Sequence, residues 1–443
     1  MSKTKFFVFL LLGMILAVSP LFAGGQQASG GDTVDVNEDG TVNNPEAVVV
    51  DRNRLVFWSL FAGGDGAWME RIIANYNSTN PVKQVQPIPL VWADYYIKLG
   101  TAVAARRGPD IGVSHVSRLP ELVEQGMVIS IDDLAARAGI RWTDYPSAMV
   151  ESITFNGRKY AIPLDTHAEI MYQNTDILSA AGVPTRNGQI TVANWNEFKA
   201  ILDKIKPTLG SGQTTISLTN TGDDPYRVWW AVYFQMGGTP LINNAGNQVT
   251  MDRNIAVRAA DFVKSLWTDG YILPGITDHG QFFRAGNAAF VWCGTWETGI
   301  NSEVRTLKFG AQSFPRLFGT NDACWADAHV FVIPTKQSRN ASDTQAAVNF
   351  TAWAGTRGAP IWAQSGQIPS YVPALSSPDF TSLPYRADYA SAASKAVLPP
   401  QHVNFGRMKD SMIRNLDLIW TDQASSSAAI DTIYNEITSA VRN

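Results

Sequence analysis

From residue 54 the chain alternates β-rich runs with stretches of helical periodicity, and no other feature narrows its fold as far. "RLVFWSL" (54–60) is a β-branched and aromatic run ending in "FAGGDG", followed by a helical pattern from Ala67 to Tyr76. "VKQVQPIPLVW" and "ADYYIKLGTAVAAR" repeat the strand–helix order, as do "GPDIGVSH" (108–115) and "LPELVEQGMV". Strands separated by helices of about 10 residues predict right-handed crossovers and a parallel or mixed sheet, hence an α/β fold. Ligands in such sheets sit beyond the carboxyl ends of the strands. That puts Trp58, Phe61, Asp65, Ser114 and His115 on one rim. A second block starts near Asp176, with an amphipathic helix in "VANWNEFKAILDKIK", an aromatic helix in "DPYRVWWAVYFQMGG" and a Gly-stopped helix in "NIAVRAADFVKSLWTDG". "FFRAGNAAFVWCGTWETGI" (282–300) then reads as a helical turn, a strand and a Gly-Thr-Trp-Glu loop.

The N-terminus speaks to compartment. Lys3 and Lys5 precede an apolar run from Phe6 to Val18, a Ser-Pro break and small residues around Ala23. This is the pattern of a secretory signal, expected to be cut near Ala23, and the run is too short for a span of about 20 residues. A periplasmic location follows. Removing residues 1–23 takes away two lysines and no acids, moving the formal charge from −4 to −6. With no basic patch, nucleic acid and anionic membrane are poor partners. About 400 residues remain, enough for two domains with separate cores.

Residues 24–53, rich in Gly, Gln, Asn and Asp, read as a disordered linker. Inside them "DVNEDGTVNNPE" (35–46) fits a calcium loop, with Asp35, Asn37, Asp39, Gly40 for the turn, Val42 and Glu46 at the twelfth position. It also looks like one loop of a dockerin repeat. No helix signal precedes it and no second copy follows, so the loop stands without its usual support. The two cysteines, Cys293 and Cys324, are either a disulfide or separate thiols. A bridge closing about 30 residues would be worth roughly 3–4 kcal/mol.

The 14 tryptophans suit both a core and a sugar-stacking surface. No CxxC, HExxH, GxSxG or phosphate loop occurs. In "AIPLDTHAEIMYQNTDIL" (161–178), Asp165 and His167 stand two apart in an apolar stretch. They are an acid–base pair or two hydrogen-bonding hands. A glycosidase needs two carboxyls about 5 Å or about 6.5–9.5 Å apart, and nothing in the sequence pairs Glu169 with Glu297. No two histidines stand three to five residues apart, which is the spacing of short-range zinc sites. No metal, cofactor or catalytic residue is expected.

Five phrases in register across roughly 54–375 resemble the extracellular solute-binding proteins of ABC importers, in the sugar-binding branch that includes the maltose-binding protein. They are "GPDIGVSHVSRLPELVEQGMVISIDDL", "FNGRKYAIPLDTHAEIMYQNTDILSAAGVP", "ANWNEFKAIL", "FFRAGNAAFVWCGTWE" and "DAHVFVIPTKQ". The resemblance implies a periplasmic-binding-protein-like fold of two α/β lobes hinged about a ligand cleft. It suggests crossings near 164–168, 289–293 and 355–365. Lobe one would be 54–165 plus 291–355, and lobe two 166–290 plus 356–443. Both cysteines would then share a lobe. The function implied is capture of a sugar or oligosaccharide by a monomer and its delivery to permease subunits in the inner membrane. A polyol or glycerol phosphodiester binder is the alternative, disfavoured by the lack of a convergent Arg/Lys cluster. A secreted carbohydrate-active enzyme is the third reading. By position in the family, His167 meets sugar hydroxyls with Asp165 beside it, and Trp296 stacks on a ring. Trp58, Asp65, Ser114, His115, Trp230, Asp327 and His329 complete the candidates. Asp65 is equally a turn residue, Trp296 is the preferred platform with core filler as its alternative, and of the adjacent pair Trp229 and Trp230 at most one, preferably Trp230, can face a pocket.

Overall fold

β1 (Arg54–Ser59) is buried at five of its six positions, as its continuous apolar run requires of a strand covered on both faces. It pairs in parallel with β2 (Gln84–Pro89) and, through Phe57 and Ile111, leads into β3 (Gly112–His115). A short hairpin, β4 (Thr154–Phe155) and β5 (Arg158–Lys159), precedes β6 (Ala161–Pro163). β12 (His329–Val332) lies between β3 and β6, antiparallel to both. The computed structural model describes residues 34–37, 40–61, 64–319, 321–337 and 339–442.

The second sheet is built on β7 (Asp165–Asn174), ten residues long and the one strand that leaves the first lobe for the second. β9 (Ala288–Gly294) pairs antiparallel with it and parallel with β8 (Thr214–Ser217). β10 (Phe309–Ser313) and β11 (Cys324–Asp327) also pair with β7, and β14 (Ala396–Val397) extends the sheet beyond β11. β13 (Ile368–Pro369) pairs with the first residues of β7. The helix Asp223–Gln235 is buried nearly throughout, and Arg253–Thr268 packs on it. Asp252 caps the latter by accepting from the Ile255 N–H, and Asn194 caps Trp195–Ile205 by accepting from Glu197, so polar caps fix where both helices begin.

Two main cores result. One gathers residues between Val42 and Leu164 with Phe331–Trp362, the other Ala168–Ala326 with Ile368–Ala440. The chain therefore passes between them at 165–167, 327–330 and 363–367. This corrects the expected crossing at 289–293. β9 stays in the second sheet with Trp292 and Cys293 in its core, and the chain returns only at Asp327–His329. The expectation failed because "AAFVWCG" is apolar throughout, and a fully apolar strand carries no mark of which sheet it joins.

The linker reading is corrected from residue 34 onward. Val42 is buried in the lobe-one core, bridges Leu90 and donates to the Pro89 carbonyl, and Gln86 holds the backbone of Val49 and Asp51. In the calcium-loop stretch the side chains of Asp35 and Asn37 bond to Asn43, while Asp39 lies outside the described residues. So do the expected signal segment 1–23 and residues 24–33. Cys293 and Cys324 are separate buried thiols. Strand β7 runs between β9 and β11, so two strand spacings put them about 9–10 Å apart, beyond the roughly 7 Å that a disulfide spans. No described helix is long and apolar enough to cross a membrane.

Candidate functional site

Alternation along β7 puts Asp165, His167 and Glu169 on one face. Asp165 is fully buried where the chain leaves lobe one, and it accepts four hydrogen bonds. His167 Nδ1 donates to Oδ1 at 3.1 Å and His329 Nδ1 to Oδ2 at 2.9 Å. The His329 backbone N–H reaches Oδ1 at 3.0 Å, and Trp362 Nε1 reaches Oδ2 at 2.7 Å. Burial alone would raise this carboxyl, but His329 and His167 outweigh it and hold Asp165 well below the usual carboxylate range. A carboxylate only accepts, so both imidazoles carry their hydrogen on Nδ1, and the Nε2 of a neutral ring is a lone pair.

His115 joins from the end of β3. Its Nδ1 lies 2.7 Å from the Tyr96 hydroxyl, which also accepts from the His115 backbone N–H. The three rings lie close, with centroids 4.2 Å apart for His167–His329, 4.9 Å for His115–His329 and 5.4 Å for His115–His167. Burial and the neighbouring imidazoles push His115 and His167 below the ordinary histidine value. Burial also opposes the charged form of His329, but the Asp165 carboxylate prevails and holds it above that value. Asp65, beside His329, is pushed up to about 6 by burial.

Lobe two supplies an aromatic wall. The Arg227 guanidinium lies over both Trp296 (4.8 Å) and Trp325 (4.7 Å), and His167 meets Trp296 edge-on at 5.9 Å. Trp296 folds back over its own strand end, which demands Gly294, since a Cβ there would collide with the indole. Arg227 is anchored by Asp224 at 3.0 Å in the first turn of its helix. Beneath this wall Glu169 has neither oxygen hydrogen-bonded, and burial pushes it up to about 8 against the attraction of Arg227.

Between the walls is a cavity of about 550 Å³. Asp65, His115, His167, Trp296, Asp327 and His329 line it. Asp327 is tied to lobe one by Ser117, whose Oγ donates at 2.5 Å. Asp165 sits one layer below. Three candidates are corrected. Trp58 belongs to the lobe-one core, since β1 is buried on both faces. Ser114 is buried, donates to the His115 carbonyl and does not line the cavity. Trp230 is buried in lobe two with Nε1 on the Val397 carbonyl, because both faces of its helix are covered.

The sequence reading missed Arg227, Trp325, Tyr96, Arg118 and Lys409, all of which reach the cavity. Trp325 was findable, since it precedes Asp327 by two and shares its strand face. Arg227 stands three after Asp224 on a helix whose first turn faces the cleft. The absence of a convergent cationic cluster is also corrected, because Arg118, Arg227 and Lys409 converge from distant segments. Each is ion-paired, Arg118 with Glu121, Arg227 with Asp224 and Lys409 with Asp223.

A profile of bacterial extracellular solute-binding proteins matches residues 71–387. A protein of Brucella abortus (strain 2308) is 23% identical over 269 residues, covering 58% of this chain and 61% of that protein. The arabinooligosaccharide-binding protein of Bacillus subtilis (strain 168) is 22% identical over 258 residues, 55% of this chain and 56% of that one. The chain thus spans about three fifths of the length of the curated relatives it matches. Two solved structures share the fold. An ABC substrate-binding protein of Listeria monocytogenes in complex with cycloalternan has a TM-score of 0.76 at 16% identity, over 88% of this chain and 99% of that one. A Mycobacterium tuberculosis protein in complex with glycerophosphocholine has 0.77 at 18%, over 88% and 98%.

Proposed function

Because the chain belongs to the bacterial extracellular solute-binding proteins, we propose that it is exported, captures a sugar or oligosaccharide in the cleft and delivers it to an ABC import permease. The family and fold are those of binding proteins rather than enzymes. The observation that carries the sugar reading is the pairing of unlike walls across one cavity. Imidazoles and carboxylates on one side suit vicinal hydroxyls, and the indoles of Trp296 and Trp325 on the other suit the apolar face of a ring. Leaving such buried polar groups unpaired costs about 1–3 kcal/mol each, which is how the wall would reject a solute lacking the right hydroxyls.

A second reading is a glycerol phosphodiester, favoured by Arg118, Arg227 and Lys409 at the cavity. A thermal-shift screen of sugars, oligosaccharides and glycerophosphodiesters distinguishes them, since ligand at about 100 times its dissociation constant adds about 2.7 kcal/mol. Stabilisation by a neutral saccharide, weakened in Trp296→Ala, supports the sugar. A response to the phosphodiester alone overturns it.

A further inference from the structure

We infer that His115, His167 and His329 form a binding site for a divalent transition metal on the cleft wall, with open coordination positions facing the solute cavity. One possible ligand atom from each ring lies within 4.8 Å of the others. The residues come from β3, β7 and β12, so sequence spacing could not have shown the cluster.

Orientation argues for an ion more strongly than proximity does. Asp165 takes the Nδ1 hydrogens of His167 and His329 on its two oxygens, leaving Nε2 of each ring as the remaining ligand atom, from which a metal would displace any proton that His329 holds. A carboxylate behind ligating histidines is the usual outer shell of a metal site, where it fixes ring and tautomer. The Tyr96 oxygen can play the same part for His115 Nδ1, because a phenol oxygen accepts two hydrogen bonds. No Nε2 of the three has a hydrogen-bond partner among the described residues. Three imidazoles this close, each offering a ring nitrogen within 4.8 Å of the others, can share one ion after the rings turn. A single solute hydroxyl has one hydrogen to give, whereas one cation uses all three.

The ligand atoms, within 4.8 Å of one another, stand wider apart than in a loaded site. Metal–nitrogen bonds of about 2.0–2.1 Å set tetrahedral ligands roughly 3.4 Å apart, so small ring rotations would close the set. Three imidazoles suit zinc, copper, nickel or cobalt rather than calcium or magnesium. A three-histidine site keeps at least one position open. That a solute oxygen fills it, beside the Trp296 ring, rests on the function proposed above.

The test uses the tag-free full chain, stripped with a chelator and titrated with Co²⁺. The expected result is one equivalent bound with the visible absorption of a four- or five-coordinate nitrogen site, displaced by Zn²⁺. His167→Gln and His329→Gln should each weaken binding by more than about 100-fold. Asp165→Asn, which keeps all three ligands, should weaken it by about 10–100-fold. His402→Gln, outside the cavity, should match the parent. A silent cobalt titration of the folded, unmodified chain overturns the site whether or not the variants fold. So does one equivalent retained by both glutamine variants. Sugar titration of both the stripped and the cobalt-loaded protein separates the two readings. Sugar binding with silent cobalt sinks the metal alone, whereas cobalt binding with no response to any saccharide sinks the sugar alone.

Discussion

Asp165 and Glu169 stand four residues apart on the same face of β7, both without solvent contact, and the structure treats them oppositely. Asp165 accepts four hydrogen bonds and stays ionised, whereas Glu169 accepts none and is pushed up to about 8, which keeps it protonated at neutral pH. The donors around each group decide the outcome, not the carboxyl itself. Beneath the histidine wall a charged carboxylate aims imidazoles. Beneath the indole wall a neutral one fills space between Cys293, Cys324 and the Arg227 helix. One wall is thus wired through a hydrogen-bonded carboxylate and the other backed by an unbonded one.

The hardest test of the wired side is Asp165→Ala. It strands the hydrogens of two imidazoles and of the Trp362 indole in a closed interior, so it should cost about 3–5 kcal/mol of stability in a urea titration. A loss under about 1 kcal/mol would mean that the carboxylate holds nothing together.

Glu169 sharpens the contrast through pH. Its folded value is raised above the ordinary one, so the folded state holds a proton that the unfolded state releases, and stability falls as pH rises from about 4.5 toward about 8. The groups facing it are Arg227, which opposes the shift, and Asp223 and Asp224, which add to it. Glu169→Gln removes the ionisation at similar volume. In chelator, its melting temperature relative to the parent should climb between pH 5 and pH 8, by a margin worth on the order of a few kcal/mol. A pH-independent difference would show that Glu169 is ionised in the fold.

How much of this was readable follows from the range of each interaction. The strand–helix alternation from β1 to β3, and the helices Trp195–Ile205 and Arg253–Thr268, were legible because period and caps are local. "DTH" was legible as polar residues at period two in an apolar strand. The triple-histidine cluster was not, because its members lie 52 and 162 residues apart and only the crossing of β7 beside β12 brings them together. The same reason hid Arg118, Arg227 and Lys409 as neighbours. Trp58 and Trp230 misled because an aromatic at a strand end or on a helix looks alike from sequence whether its far side is solvent or another element.

The indole wall can be broken directly. Trp296→Ala removes a contact face while leaving Asp165, His167 and His329 in place, so saccharide affinity should fall by about 1–2 kcal/mol, roughly 5- to 30-fold. Isothermal titration measures it, and Trp296→Phe should recover part of the loss. Unchanged affinity in Trp296→Ala would leave recognition to the histidine side alone.

The smallest effect on binding is expected where the sequence pointed to a ligand contact and the structure finds core. Trp230 is fully enclosed, packed at a tilt against Tyr226 and Phe234, and its one polar atom is spent on the Val397 carbonyl. Trp230→Phe deletes that hydrogen bond and part of the ring, so the apo protein should lose about 1 kcal/mol of stability. The solute should not notice, because Trp230 lines no part of the cavity between the walls. Melting curves beside isothermal titration separate the two quantities: a lowered melting temperature with unchanged affinity is expected. An affinity loss comparable to that of Trp296→Ala would mean that the lobe-two core and the indole wall move as one unit when the cleft closes.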